Sequence, residues 1–378
     1  MVDTGAAERQ AFIVAPEPVD WLAPLVAQLE GAYDVEVFAP WALPDRLPRV
    51  ARRVGFVRRR LGYAGGRAWF TAAELAARAY ARGKAAPTFA ARFQLRAMAG
   101  YAAAAHLARR RTPAVVIAPS FAARRVFAAT PDSRHLLLED QPDLDGLVDG
   151  LDALARQHPQ AAFLNNHRPR FTDHVAQRAE RWQADAIAVR GRVAAARLAD
   201  RGPVLRLPTT APTVDADGGD TVLFAGPLLA RGGAMHLPAL LRAMPALKIR
   251  AQRVDVVEPV SLAEHPRVEL SSAPSLQGVA AVLSLGSLES HPRAVARALA
   301  AGLPVVGTKA STGALAQGSA TWVDPDDGAA LQKALHEALH GRAPKPRAWT
   351  AAPDIATWAG ELSRPQTPAR RAAARPAP

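Results

Sequence analysis

One stretch constrains this chain more than any other. Residues 279–308 read VAAVLSLGSLESHPRAVARALAAGLPVVGT. Val279–Leu285 is an apolar run of strand length. A polar turn follows with Glu289 at its tip, then a helical segment to Ala301. Gly302-Leu303-Pro304 breaks the helix, and Val305-Val306 resumes an apolar strand. Pro292 suits the first helical turn, where its missing N–H has no partner to lose. Strand, turn, helix and strand in this order predict a βαβ unit with parallel strands. Open α/β sheets bind ligands beyond the carboxyl ends of such strands. A helix start there favours phosphate through free N–H groups and the macrodipole.

The rest of the chain repeats the alternation. Apolar runs at Gln10–Ala15, Tyr33–Phe38, Ala114–Pro119, Leu136–Leu138, Ala161–Leu164, Ala186–Val189 and Val204–Leu207 are strand candidates. Helical stretches at Trp21–Leu29, Ala72–Arg111, Asp173–Gln183 and Arg192–Asp200 separate them. Alternation of this kind predicts a parallel sheet with helices on its faces. Thr209–Gly219 is polar, holds Pro and Gly and lacks periodicity, so it reads as a linker. A second series starts at Thr221 with TVLFAG and ends with the helix Asp327–Leu339. The length of 378 residues fits two domains. The expected division is 1–208, a linker at 209–219, 220–341, a segment 342–363 that packs back on the first domain, and a Pro- and Arg-rich disordered tail 364–378. The first strand–helix turn, APEPVDW, carries no glycine fingerprint for a dinucleotide.

Composition narrows the chemistry. There is no cysteine, which excludes disulfides, thiolate metal sites and thiol nucleophiles. No apolar run approaches the ~20 residues of a membrane span. The start, MVDTGAAERQ, lacks a basic region followed by an apolar one, so a cytoplasmic location is expected. The net charge is +13 and the pI about 11. Three readings stand: general Arg enrichment, an anionic membrane surface or lipid phosphate, and nucleic acid. The last lacks aromatic platforms or any binding module, so no nucleic-acid partner is expected. Residues 46–61, RLPRVARRVGFVRRRL, place Val50, Val54, Val57 and Leu61 at helical spacing among arginines. That pattern suits a surface helix packed on its own domain or a helix at a membrane interface.

Residues 221–340 resemble the nucleotide-sugar-binding domain of GT-B glycosyltransferases of the retaining family-four type. The matching segments are VLFAGPLLARGG, HPRVEL, AAVLSLGSLESHPRAVARALAAGLPVVGTKASTG and ATWVDPDDGAALQKAL, in that family's order and spacing. The first half resembles the acceptor domain in its order of elements and in RWQADAIAV before a short helix. The resemblance implies an α/β fold, GT-B, with two Rossmann-like parallel-sheet domains facing across a cleft. It implies a nucleotide sugar as donor, a glycan or lipid-linked acceptor, and no cofactor or metal beyond the donor itself.

It also implies a donor site of Gly226, Arg231 and Gly233 in the loop after the first strand, with Ser290, His291, Arg293 and Arg297 around the helix start and Lys309 and Thr312 in the next loop. Cations there would stabilise charge on the departing diphosphate. Where the family carries Arg and Lys, this chain has Pro227 and Gly232, and Arg231 stands beside them. Glu289 matches the first glutamate of the family's E-x7-E pattern, which orients the sugar. The second position is Arg297, which accepts no hydrogen bond from a ribose. On the acceptor side, Asp140 within EDQPDLD and His167 in NNHRPR are candidates to position or deprotonate the attacking hydroxyl. The acidic cluster equally suits a helix cap. Asp143-Leu144-Asp145 resembles a metal-binding Asp-x-Asp, but the pattern is short. The expected function is hexosyl transfer with retention in glycan, glycolipid or polysaccharide assembly, in the cytoplasm or peripherally on the inner membrane face. The alternative is a non-catalytic relative that serves as a scaffold in polysaccharide assembly.

Overall fold

A computed structural model describes residues 10–16, 19, 21–39, 89–110, 112–140, 143–159, 168–207, 219–253, 257–271, 274–286, 293–348, 350 and 352–362. These residues build two six-stranded sheets, and every pairing in them is parallel.

The first sheet contains β1 (Gln10–Val14), β2 (Asp34–Phe38), β3 (Val115–Pro119), β4 (Arg134–Glu139), β5 (Ala186–Val189) and β6 (Val204–Arg206). Their spatial order is β2-β1-β3-β4-β5-β6. The helices of this lobe are α1 (Leu22–Leu29), α2 (Phe89–Leu107), α3 (Ala123–Ala129), α4 (Leu144–Gln157), α5 (Phe171–Gln183) and α6 (Arg192–Leu198). Strands covered on both faces read as continuous apolar runs. Accordingly β3 is VVIAP and is buried throughout. Ala11, Ile13, Ile117, Leu136 and Leu138 face a core shared with α1. Phe12, Val14, Val116 and Leu137 face the opposite core, shared with α2 and α3.

The second sheet contains β7 (Thr221–Pro227), β8 (Lys248–Gln252), β9 (Val268–Ser271), β10 (Val279–Ser284), β11 (Val305–Gly307) and β12 (Thr321–Trp322). Its order, β12-β11-β10-β7-β8-β9, reverses between β7 and β10. That reversal is the topological switch point of a Rossmann-type sheet. Helices α7 (Leu237–Ala243), α8 (Arg293–Ala301) and α9 (Gly328–Leu339) cover it.

The chain then returns to the first lobe. The Arg206 N–H donates to the Pro353 carbonyl at 2.8 Å. Helix α10 (Ile355–Leu362) buries Ile355, Trp358 and Ala359 in the same core as Ile13 and Leu25. Tyr33 Oη donates to the Ala359 carbonyl at 3.2 Å. Burying Ile355 and the indole of Trp358 stabilises this return by about 1.5–3 kcal/mol per side chain.

Helix α4 is the main element not anticipated from the sequence. Its leucines 144, 147, 151 and 154 form one buried stripe. The acidic residues between them disguise the periodicity, because they lie on the other face. The basic segment 46–61, the strand candidate 161–164, most of the linker and the tail lie outside the described residues.

Candidate functional site

The switch point brings two loops together. Gly226, next to last in β7 and not in the loop where the resemblance puts it, sits at φ 106°, and the loop after the strand ends at Gly233, at φ 84°. Both values belong to the left-handed side, which glycine reaches without steric cost. At Gly233 the close approach is also decisive: a Cβ there would lie 2.4 Å from the Leu285 carbonyl oxygen. The β7 loop therefore sits directly on the end of β10, where the segment to α8 begins. Buried Glu258 fixes the loop from below, accepting from the Ala230 N–H at 3.1 Å. Ala230 packs in a cluster with Phe93, Phe121, Leu144 and Leu147, so the same loop is a point of contact between the lobes.

The loop after β11 is tied to the same edge. Thr308 Oγ1 donates to the Gly286 carbonyl at 2.5 Å and accepts from the Ser311 N–H at 3.0 Å. Ser311 Oγ donates to the Ser284 carbonyl at 2.5 Å. Thr312 is fully buried, and its hydroxyl donates to the Thr308 carbonyl at 2.8 Å.

The structure therefore gathers Gly226, Gly233, Lys309 and Thr312 on the carboxyl-end side of one sheet. Arg231 has its backbone in the turn Ala230–Gly232, and Arg293 opens α8; their side chains are not described. Arg297 Nη1 donates to the Pro274 carbonyl at 2.8 Å, a contact within its own lobe. Glu289, Ser290, His291 and His167 lie outside the described residues.

On the first lobe, Asp140 follows β4 and is buried. Arg96 meets both of its carboxylate oxygens, at 2.6 and 2.9 Å, and Trp21 Nε1 donates to it at 3.2 Å. This geometry holds a charge in place inside the lobe. Asp143 caps α4 by accepting from the Gly146 N–H at 3.0 Å, while Asp145 pairs with His174 at 2.8 Å and Arg178 at 3.1 Å. Those ion pairs hold the Asp145 carboxyl below the usual range, against a raising contribution from partial burial. Among the described residues no cluster of metal-ligating side chains occurs.

Beside them lies a second buried acid, unmarked in the sequence. Glu180 accepts from the backbone N–H groups of Phe121 at 2.7 Å and Arg124 at 3.1 Å. Burial raises its pKa to about 8 despite these bonds, and nearby Glu139 adds to the rise. Glu139 is itself pushed up by burial, against the pull of Arg181 at 2.7 Å.

The lobes meet again at α6. The Arg192 N–H donates to the Gly313 carbonyl at 3.1 Å, and its guanidinium lies 4.4 Å from the centre of the Trp322 ring. Elsewhere Gln157 donates to Asp326 at 2.5 Å, and His158 packs edge-on to His236. Arg192 was not a candidate from sequence. Its place just after the strand Ala186–Val189 was the signal available, since residues at the carboxyl end of a parallel strand face the cleft.

No protein-family model matches the sequence, and no curated protein is similar to it. Solved structures are similar. A sucrose-phosphate synthase from Thermosynechococcus elongatus aligns at 14% identity with a TM-score of 0.60, over 94% of this chain and 92% of that one. An alpha,alpha-trehalose 6-phosphate synthase from Burkholderia multivorans aligns at 12% identity with a TM-score of 0.51, over 88% and 91%. A UDP-forming trehalose-phosphate synthase from Burkholderia xenovorans, in complex with glucose-6-phosphate, aligns at 11% identity with a TM-score of 0.51, over 87% and 92%. At these identities the likeness speaks for architecture. Two parallel Rossmann-like sheets, joined through the β7 loop and α6 and braced by a returning terminal helix, give this chain the GT-B fold of glycosyltransferases.

Proposed function

We propose that the protein is a glycosyltransferase that moves a hexosyl group from a nucleotide-diphosphate sugar to an acceptor hydroxyl, with retention of configuration. One observation carries the reading above the others. The β7 loop packs against Leu285 at the end of β10 through Gly233, where a side chain would not fit, at the switch point of a Rossmann-ordered sheet. That packing sets the loop beside the segment leading to α8, where N–H groups at a helix start favour a diphosphate. Glu289 would orient the sugar, and Arg231 with the start of α8 would hold the diphosphate. Asp140 and His167 are the acceptor-side candidates. A UDP-forming enzyme among the similar structures supports a uridine nucleotide as the first donor to try. The reaction would need no metal, so chelator would leave its rate unchanged.

The decisive test is binding followed by turnover. Nucleoside diphosphates should raise the melting temperature, as any ligand of the folded state does. Glu289→Gln should cut turnover by about a hundredfold while leaving nucleotide affinity within about twofold. Equal loss of both would count against its role at the sugar. Proton NMR of the first product formed would report the anomeric configuration.

A second reading rests on Arg297. Its guanidinium is engaged by the Pro274 carbonyl at the position where the resemblance calls for a ribose-binding glutamate. A non-catalytic scaffold in polysaccharide assembly fits that replacement. No thermal shift with any nucleoside diphosphate would favour it. Among the described residues no helix is long and apolar enough to cross a membrane. Peripheral attachment through residues 46–61 is part of the proposal. Co-sedimentation with anionic liposomes that weakens as salt rises would support it.

A further inference from the structure

Helix α5 is packed with its polar side chains inside. Gln177 is buried, where it accepts from the Leu144 N–H at 3.1 Å and donates to Glu139 at 3.2 Å. Glu180 is buried one turn on and accepts from the Phe121 and Arg124 N–H groups. The apolar side chains point the other way. Phe171 is 81% exposed, Trp182 62% and Val175 44%. Six large apolar side chains are exposed among the described residues, so half of them stand on this one helix. At 3.6 residues per turn, Phe171, Val175, Arg178 and Trp182 fall within about 60° of arc, and the two aromatics lie about 16 Å apart along the axis. An exposed apolar stripe of this kind marks an interaction site.

The charges around the stripe are matched within the chain. Arg178 pairs with Asp145 at 3.1 Å, Arg201 with Asp200 at 3.5 Å, and Arg168 with Asp152. Arg201 also stands over the Trp182 ring, 5.5 Å from its centre. Cations neutralised by neighbouring carboxylates offer little net field to an anionic surface.

The stripe is instead complementary to itself. Phe171 and Trp182, like Val175 and Arg178, are spaced symmetrically about the midpoint between Ala176 and Gln177. A second α5 laid end to end against the first therefore sets Phe171 against Trp182 at both ends and Val175 against Arg178 twice in the middle. Each end gains an aromatic pair. The aliphatic stem of Arg178 covers Val175 while its guanidinium stays on Asp145. A two-fold contact needs this property, because the same patch must serve on both subunits.

We propose that the outer face of α5 is the contact between two copies of this chain, packed antiparallel about a two-fold axis beside Ala176 and Gln177. The inference does not rest on the transferase reading. One helix face covers less than the about 800 Å² per partner of a tight dimer, so the association is reversible and falls in the micromolar range.

Sedimentation of the full-length chain over a concentration series from about 1 to about 100 μM tests it. The mass should rise from 40.0 kDa toward twice that value. Phe171→Ser and Trp182→Ser should each weaken association by about tenfold or more, since every substitution counts twice in a two-fold contact. Both side chains are exposed, so the variants should keep the parent's melting temperature. The register has its own test, because the chain lacks cysteine. A Phe171→Cys chain mixed with a Trp182→Cys chain under oxidised glutathione should give the mixed disulfide, with the aromatic pair at the other end intact. Each variant alone should cross-link far less. The proposal is overturned if the chain stays monomeric throughout, if the serine variants associate like the parent, or if either cysteine variant links to itself as readily as to the other. A monomeric chain that binds phosphatidylglycerol vesicles, and loses that binding in the serine variants, would give the stripe to a membrane instead.

Discussion

Arg96 and Asp140 form a two-pronged ion pair inside the first lobe, at 2.6 and 2.9 Å, with side chains 1% and 3% exposed. Helix α2 thereby locks to the end of β4, and Trp21 adds a third hold from the start of α1. The pair bears on Asp140 as a candidate for acceptor chemistry. A carboxylate engaged by a guanidinium and an indole is spatially fixed before any substrate arrives.

Removing one partner should therefore show first in stability. Asp140→Ala leaves a buried guanidinium uncompensated and should cost about 3–5 kcal/mol. Arg96→Met with Asp140→Leu should recover most of that loss. Urea denaturation of the two variants checks this. A single variant as stable as the parent would show the pair to be dispensable.

Gly233 and Gly226 separate backbone strain from contact. Both need positive φ, but a Cβ at Gly233 meets the Leu285 carbonyl at 2.4 Å and one at Gly226 meets nothing within 4 Å. Gly226→Ala should cost about 1–2 kcal/mol through strain alone. Gly233→Ala should cost distinctly more, since the β7 loop must move off β10. Nucleoside diphosphate affinity should fall with Gly233→Ala more than with Gly226→Ala. Equal effects in denaturation and calorimetry would mean that the close approach is not what positions the loop.

Glu180 makes stability depend on pH. In the folded chain it keeps its proton up to a pKa of about 8, whereas the unfolded value is 4.5. Between those values the folded state binds more protons than the unfolded one, so this group's contribution is present below pH 4.5 and is lost as pH rises through 8. Glu180→Gln should flatten the decline. Denaturation midpoints at pH 5, 6.5 and 8 measure it, and an unchanged slope in the variant would reject the buried acid as its source.

His236 acts in the opposite sense. Burial holds its pKa below the ordinary 6.5, and His158 adds to the drop while Asp326 opposes it. The folded chain keeps this imidazole neutral, and the unfolded chain protonates it as pH falls below 6.5. Its contribution is thus present above pH 6.5 and lost on acidification. His236 touches His158 of the other lobe, so the lobe contact should loosen with it. Comparing the parent with His236→Gln at pH 7.5 and 5.5 checks the sign; a variant that loses as much stability on acidification as the parent would contradict it.

Much of the architecture was legible because parallel strands covered on both faces carry uninterrupted apolar runs. VVIAP, AIAV and VAAVLS are such runs, and each is a strand. Helix α4 was not legible, since glycines and aspartates interrupt its leucine stripe. Among site residues, Gly233 follows from the resemblance to the family's donor loop. Its close contact with Leu285 is a property of two segments far apart in the chain.

What the sequence determined by itself is local: the alternation of strand and helix, the breaks at Gly and Pro, the absence of thiol chemistry and the excess of positive charge. Periodicity and backbone propensity act over a few residues and leave a signature in any short window. Tertiary structure alone decided which charges became neighbours. It locked Asp140 against Arg96, gave Glu180 its proton by excluding water, and set Arg192 of one lobe over Trp322 of the other. Desolvation and Coulomb interactions depend on distance in space, and distance in space is not written in the order of the residues.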